Sequence, residues 1–406
     1  MLYITSCRYS PPWVNRRHVP VNVAPLMKPR VLFLSPVPDF KGGAERSLWD
    51  LIANPQIEPL LVVPGEGPLS TRASESGISV EVLRFGSISE VRRPFRVSDG
   101  ISVLFRLIGV ARQLVRISRA RGVDIIHSNG LKAHVIAVTA RCFGGPPAVT
   151  HIRDIANTTT EQMVWRALQL LSDQMILVSR ACWSSDTLPP NVHVVHNGFE
   201  IPAHESGRTS DSRLIAGFVG RIHPAKGLHV LLPWIAAARQ AGCELKLIVR
   251  GRFAKETPGY EQEIAEQISV LGLSNHVVLE GFVPDPDKVY AGIDVVCVPS
   301  VTPDPLPRSV MEAMGRGLVV VAAPTGGIVE MIVDGHSGFL VAHEREFVDA
   351  MKRLLDRPGF ADEISRHARD RCAAMFTLER LHESVLDIYT LMRGGESAAV
   401  PLGQAP

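Results

Sequence analysis

The sequence predicts an α/β protein made of two doubly wound parallel sheets, and three observations carry that reading. Short, continuously apolar runs recur along the chain, stretches with helical periodicity separate them, and the series breaks once near residue 204 before starting again. Runs too short for buried helices and too apolar for one-sided strands suit sheets covered on both faces. Their alternation with amphipathic stretches is the pattern of an open doubly wound domain.

In order, the first series reads RVLFLSP from Arg30, IEPLLVVP, ISVEVL, VDIIHS, PAVTH, QMILVS and VHVVHN, with AERSLWDLIA and LKAHVIAVTARC among the helices between. The stretch EIPAHESGRTSDSR then loses its apolar pattern and marks a linker. A second series follows: LIAGFVG, LKLIVRG, HVVLEG, IDVVCVP, LVVVAAP and GFLVAH, with helices predicted near 227–241, 259–271, 309–316 and 327–333. The boundaries are an N-terminal extension over 1–27, a first domain over 28–203, a linker over 204–213, a second domain over 214–375, a closing helix over 376–393 able to pack back on the first domain, and a disordered tail over 394–406. The segment MKPRVLFLSP has the look of a natural beginning, so that the residues before it are a floppy extension or follow from a misplaced start.

Composition narrows the classes. A hydrophobic share of 46% with 21% charged residues is that of a folded soluble protein, and a length of 406 residues suits two domains, each with its own core. A net charge of +2 argues against nucleic acid as an obligatory partner. Cys7, Cys142, Cys182, Cys243, Cys297 and Cys372 show no paired spacing, which predicts neither zinc nor a redox dithiol and favours the cytoplasm. The N-terminus lacks the unbroken apolar stretch of a signal peptide.

Ligands of open α/β sheets bind beyond the carboxyl ends of the strands, so motifs there matter most. GRIHPAKG places Arg221 and Lys226 between a strand and a helix, where a fork of guanidinium donors and a compact ammonium can neutralise phosphate; the same pair also suits a solvated turn. PTGGIVEMI puts Gly326 and Gly327 at another strand end, where backbone amides can approach an anion or simply turn the chain. Gly42 and Gly43 of GGAERS occupy the first strand's end with Glu45 in the following helical turn, and the Gly-x-Gly-x-x-Gly spacing of a dinucleotide site is missing there. His151, Arg153 and Asp154 in VTHIRDI, and His127 and Asn129 in IIHSNG, end neighbouring strands as sugar or phosphate ligands or as satisfied boundary residues. In PDPLPRSVMEAMGRG three prolines hold Asp304 on a stiff loop, and the helix that follows carries Glu312 about one turn in. A carboxylate at such a junction can accept hydrogen bonds from vicinal hydroxyls, or can be an acidic surface turn.

Taken in order from about Arg30 to Tyr389, these segments resemble the family 4 retaining glycosyltransferases of the GT-B fold. The most specific parts are GGAE, Arg221 with Lys226, GFV at 281–283, and PSVTPDPLPRSVMEAMGRG followed by GGIVE. The resemblance implies two Rossmann-like domains facing across a cleft, a nucleotide-sugar donor, UDP- or GDP-linked, on the second, and an acceptor on the first. By position, Arg221 and Lys226 would neutralise the donor diphosphate without a metal. Glu312 would hold the ribose, Val283 the base and Asp304 the transferred sugar, with Leu306, Arg308, Ser309, Gly326 and Gly327 around them. Gly42, Gly43 and His151 would close in from the opposite wall, and His127, Asn129, Arg153 and Asp154 would lie on the acceptor side. The implied chemistry is front-face substitution, with leaving-group stabilisation as the main task and no cofactor beyond the donor. Two departures stand out: Asp304 replaces the family's usual Glu, and Pro307 replaces its usual Gly and lacks an N–H. A sugar-nucleotide epimerase or phosphorylase of the same architecture and an inactive binding module remain the rival readings.

Residues 92–121 hold eight arginines and one acid, Asp99. On a helix Arg112, Arg116 and Arg119 share a face, with Leu104, Ile108 and Val115 expected behind them. Such a helix suits peripheral contact with anionic lipid at the inner face of the cell membrane, as for enzymes with lipid-linked acceptors, or an ordinary solvated surface.

Overall fold

The computed structural model describes residues 27–40, 42–85, 97–203, 213–286, 288–357 and 359–394. Residues 1–26 of the expected extension, 204–212 of the linker, 395–406 of the tail and the start of the basic segment therefore lie outside the described residues.

The first domain runs β1 (Arg30–Leu34), α1 (Gly43–Ile52), β2 (Glu58–Val63), α2 (Pro68–Glu75), β3 (Ser79–Val82), α3 (Val97–Ala120), β4 (Ile125–Asn129), α4 (Leu131–Cys142), β5 (Ala148–Ile152), α5 (Thr159–Leu171), β6 (Gln174–Leu177) and β7 (Val192–Val194). These strands form one sheet in the order β3-β2-β1-β4-β5-β6-β7, every pair parallel. The second domain continues with β8 (Leu214–Val219), α6 (Leu228–Gln240), β9 (Leu245–Arg250), α7 (Tyr260–Val270), β10 (Val277–Gly281), β11 (Val295–Val298), α8 (Arg308–Gly315), β12 (Val319–Ala322), α9 (Ile328–Met331), β13 (Phe339–Leu340), α10 (Glu344–Asp356), α11 (Phe360–Met375) and α12 (Leu378–Met392). Its sheet has the order β10-β9-β8-β11-β12-β13, again all parallel.

Each apolar run of the sequence has become a strand because a parallel strand buried on both faces needs apolar side chains pointing both ways. Val31, Leu32, Phe33 and Leu34 are all fully buried, the odd-numbered pair in one core layer and the even-numbered pair in the other. The layer over one face of the first sheet is supplied by α3 and α4 through Ala111, Leu114, Ile136 and Ala137. Over the opposite face lie α1 and the last helix, α12, which contributes Leu381, Val385, Ile388 and Tyr389.

That last helix belongs by sequence to the second half and by packing to the first. The chain leaves the first domain at Gly198–Phe199 and returns at Phe376–Thr377, and the two crossings lie side by side, Phe199 N donating to Phe376 O at 3.0 Å. A Cβ at position 198 would stand 2.2 Å from Thr377 O, so the close crossing needs Gly198. Thr377 then caps α12, its hydroxyl accepting from Arg380 N at 3.2 Å. An apolar cluster spans the seam, joining Met175, Leu177 and Phe199 to Val310, Met314, Ile328 and Phe376.

The basic helix α3 exposes Arg112, Arg116 and Arg119, as their spacing requires. Leu104 does not back that face: it is 54% exposed, beside Phe105 at 70%. The inward stripe of α3 runs instead through Val110, Ala111, Leu114 and Val115. Arg112 lies over the Phe143 ring at 5.1 Å, and Arg119 Nη2 donates to Gly144 O at 3.2 Å.

Candidate active site

Strand order reverses between β1 and β4 in the first sheet and between β8 and β11 in the second. Crevices open at such reversals, because successive loops leave in opposite directions. The segments beyond these strands contain Gly42–Gly43, Asn129–Gly130, Arg221–Gly227 and Pro299–Pro307.

In the second domain, the turn 223–227 is knitted to the proline-rich loop. Val301 N and Thr302 N donate to Ala225 O at 3.0 and 3.2 Å, and a Cβ on Gly227 would lie 1.9 Å from Pro299 O. This docking brings Lys226 Nζ into an ion pair with Asp304 Oδ2. Gly327 N donates to Asp304 O at 2.8 Å, and a Cβ on Gly326 or Gly327 would strike the backbone of Asp304 or Pro305. Expected as an anion cradle, the glycine pair is seen spending its close approach, and the Gly327 amide, on holding the Asp304 loop. Leu306, expected beside the donor, is 4% exposed and packs in the seam core, where its side chain supports the loop from behind.

Glu312 sits in α8, whose first-turn amides at Arg308 and Ser309 have no acceptor within the helix. One carboxylate oxygen accepts from Tyr290 Oη at 3.0 Å and the other from Arg308 Nε at 3.2 Å. A carboxylate offers about four acceptor directions, so both oxygens can still take hydroxyl donors. Burial, and then Glu312, hold the Tyr290 phenol well above its ordinary range, which keeps it a donor. Arg308 also crosses the seam to Asp50 of α1, Nη1 to Oδ2 at 2.5 Å, and to Ser47 Oγ at 3.2 Å. Burial works against the charge on Arg308, yet Asp50 and Glu312 outweigh it and raise its pKa. Gly43 belongs to the same contact, since a Cβ there would lie 3.5 Å from Arg308 Cδ. Gly42 N donates to Glu45 Oε2 at 2.8 Å, closing the start of α1.

Arg221 is placed differently from Lys226. It is paired with Glu256 at the surface, and both side chains are more than half exposed. Exposed pairs of this kind contribute little, whereas a guanidinium on a phosphate makes a charge-assisted fork, so an arriving anion can draw Arg221 off Glu256. Val283 follows β10, half-buried between exposed neighbours, and Arg252 covers the adjacent Phe282 ring at 4.3 Å.

On the first domain, alternation along β4 and β5 turns His127, Asn129, His151 and Arg153 to one side, while Ser128 turns the other way to His134. Arg153 is the only cation of that group and has neutral partners: Nε donates to Asn129 Oδ1 at 2.6 Å, Nη1 to Asn197 Oδ1 at 2.5 Å, and Nη2 lies 3.4 Å from His151 Nδ1. Burial lowers its pKa to about 10, with Asp50 opposing. Asp154 is exposed, and crowding by the surrounding protein still raises its carboxyl, against Arg153 and with Glu161 and Asp304. His127, expected on the acceptor side, is fully buried with both ring nitrogens engaged, by Tyr389 Oη at 2.7 Å and His151 Nδ1 at 3.0 Å. Both nitrogens are thus occupied by protein partners, with Tyr389 behind the ring and His151 in front of it. His151 is fully buried too, and its Nε2 has no hydrogen-bond partner.

Reading the sequence missed Asp50, Ser47, Tyr290, Asn197 and Tyr389, and placed Glu330 in the helix after the glycine pair without giving it a role. Glu330 joins the halves, accepting from Arg180 N and Ala181 N at 3.0 Å each and from His196 Nε2 at 3.2 Å. For Asn197 a signal existed, since it precedes Gly198 at the end of the last strand run. The others lie inside helices or far along the chain, where spacing says nothing.

Comparison with known proteins fits this geometry. Residues 213–357, which include Lys226, Asp304, Glu312 and both glycines of the second loop, match the model for glycosyl transferases group 1. D-inositol 3-phosphate glycosyltransferase of Nocardioides sp. is 26% identical over 392 residues, spanning 82% of this chain and 85% of that one. Alpha-maltose-1-phosphate synthase of Mycolicibacterium smegmatis is 26% identical over 331 residues, spanning 69% and 82%. HepE from Anabaena, solved in complex with UDP and glucose, superimposes with a TM-score of 0.73 at 25% identity, covering 89% of this chain and 99% of that one. Sucrose-phosphate synthase from Thermosynechococcus elongatus shares the fold at a TM-score of 0.69 and 16% identity, covering 90% and 99%. The second domain thus matches the glycosyl transferases group 1 over residues 213–357, and the chain is a glycosyltransferase of the GT-B fold.

Proposed function

We propose that the chain is a family 4, retaining, metal-independent glycosyltransferase that takes a sugar from a uridine diphosphate donor and passes it to a carbohydrate or lipid-linked acceptor. The observation that carries this is that two acids of one loop-to-helix segment are both held in place, Asp304 by Lys226 and the Gly326–Gly327 turn, and Glu312 by Tyr290 and Arg308. Two carboxylates with open acceptor directions suit the hydroxyls of a sugar and a ribose. Between them stand cations and orphan helix amides for a diphosphate. The uridine preference leans on HepE, whose complexes hold UDP and UDP-glucose.

In this reading Glu312 accepts from the ribose and the backbone at Val283 meets the base. Lys226, a repositioned Arg221 and the amides of Arg308 and Ser309 face the diphosphate, and Asp304 accepts from the transferred sugar. As the bond from the anomeric carbon to the diphosphate oxygen breaks, negative charge grows on the leaving group. Fixed donors there lower the barrier without reorganising. The acceptor attacks from the same face, with Asn129, Arg153 and Asp154 on its side and His151 donating to an oxygen of the sugar or phosphate. Slow release of UDP from one UDP-sugar in the presence of EDTA, abolished by Glu312→Ala, is the expected result. No release from any nucleotide sugar would leave a binding module instead.

The protein works at the cytoplasmic face of the membrane in this reading, resting on α3 with Arg112 and Arg116 toward anionic headgroups and Leu104 and Phe105 exposed at its N-terminal part. Replacing Arg112, Arg116 and Arg119 by Gln should weaken sedimentation with phosphatidylglycerol vesicles. Unchanged sedimentation refutes the membrane contact alone.

A further inference from the structure

The side chains behind the first-domain wall form a continuous hydrogen-bonded file: Tyr389 Oη to His127 Nδ1 at 2.7 Å, His127 Nε2 to His151 Nδ1 at 3.0 Å, and beyond the second ring a buried Nε2 without a partner. Two polarities are open to such a file, and both ends choose the same one. At the outer end, Arg153 Nη2 stands 3.4 Å from His151 Nδ1. A guanidinium has donors only, so it tolerates a lone pair there and opposes an N–H. At the inner end, Tyr389 is 1% exposed and its hydroxyl is hydrogen-bonded to His127. If the phenol accepted from His127, its own proton would be buried without an acceptor; as a donor it leaves no proton stranded.

With Tyr389 donating, His127 Nδ1 accepts, His127 Nε2–H donates to His151 Nδ1, and the remaining proton of His151 lies on Nε2. We infer that Tyr389 and His127 are positioning residues that fix the tautomer of His151, so that its unpartnered edge offers an N–H and not a lone pair. Burial, reinforced by Arg153, holds both histidines well below their ordinary range, so neither ring carries a second proton that would break the file. A neutral donor held in this way suits an oxygen acceptor, such as a sugar hydroxyl or a phosphate oxygen, and not a proton to be abstracted. The root of the file is α12, the helix that crosses back from the second domain. The arrangement therefore exists only when the chain's last helix is seated on its first domain.

The tautomer can be read without substrate, while its catalytic consequence rests on the glycosyltransferase reading. In the full chain labelled with 15N-histidine, with signals assigned through His127→Gln and His151→Gln, long-range proton–nitrogen correlation should show both rings protonated on Nε2 and bare on Nδ1. Tyr389→Phe removes the donor to His127 and should give mixed tautomers at both rings. It should also lower kcat for donor turnover roughly tenfold, as loss of an orienting partner commonly does, with donor KM within about twofold. Val385→Ala, a cut in the same helix outside the file, should lower Tm and leave the tautomers alone. A proton on His151 Nδ1 in the unaltered chain, or tautomers unmoved by Tyr389→Phe, overturns the inference. If Tyr389→Phe does not fold, the spectrum of the unaltered chain decides. The predicted tautomers together with no turnover of any donor would refute the glycosyltransferase reading and leave the file standing.

Discussion

The two walls of the cleft hold their charges in opposite ways. On the second-domain side each key group already has an opposite charge: Lys226 with Asp304, and Arg308 with Glu312 and, across the seam, Asp50. On the first-domain side Arg153 has two asparagine oxygens and one ring nitrogen, and His151 has a ring nitrogen without a hydrogen-bond partner. The first arrangement has its charges paired without ligand, which holds its geometry. The second carries unspent donors, and buried donors without acceptors cost about 1–3 kcal/mol each until something satisfies them. Rigidity is concentrated where the donor would bind and incompleteness where reacting groups would meet.

The sharpest way to break this contrast is to neutralise one arginine on each wall. Arg308→Met leaves Asp50 and Glu312 buried without their cation, and stripping one partner from a buried pair commonly costs about 3–5 kcal/mol. Urea unfolding should show a loss of that order. Arg153→Met removes a half-buried cation whose hydrogen-bond partners are all neutral, so stability should hold or rise while turnover collapses. Equal destabilisation by both would erase the distinction.

Next in size is Lys226→Met. By analogy with the loss of one leaving-group donor, turnover should fall by about 10²–10³-fold, roughly 3–4 kcal/mol of barrier. Single-turnover release of UDP would read this, and a change confined to KM would move Lys226 out of the chemistry.

Acid should act mainly on the first wall. Burial keeps His127 and His151 well below 6.5 and takes His134 to about 3. The unfolded chain therefore binds more protons than the folded one below pH 6.5. The stability these neutral rings contribute is present above that value and is lost as pH falls from it, by up to about 1.4 kcal/mol per pH unit for each ring. His134→Gln should flatten the decline between pH 6.5 and 5 in urea titrations. A stability that is level across that interval contradicts the burial of the three rings. The smallest effect belongs to Glu256→Gln, which should leave Tm unchanged and tighten donor binding slightly by releasing Arg221.

Much of the scaffold could be read from the sequence because a doubly wound sheet announces itself locally. Among the described residues thirteen strands coincide with apolar runs of a few residues each, and the loops that matter are the ones that follow them. Asp304 and Glu312 could be placed near one another because prolines fix the loop between them. What could not be read was pairwise and distant. Asp50 looks like any acid in an amphipathic helix until Arg308, 258 residues on, lies against it. Tyr389 meets His127 across 262 residues. The parity of residues 127, 129, 151 and 153 was legible and would have grouped them on one face. It could not have told which of them reaches the cleft, since that depends on α12 covering His127 from behind.

The central claim is that the second wall is prepared for a nucleotide sugar, with Lys226 and Glu312 as its fixed points. Calorimetric titration of UDP-glucose into the chain with EDTA present tests it most directly. Binding that survives the chelator, weakens sharply in Lys226→Met and disappears in Glu312→Ala is the predicted result. Binding that requires added divalent metal, or that is unchanged in Glu312→Ala, would contradict it.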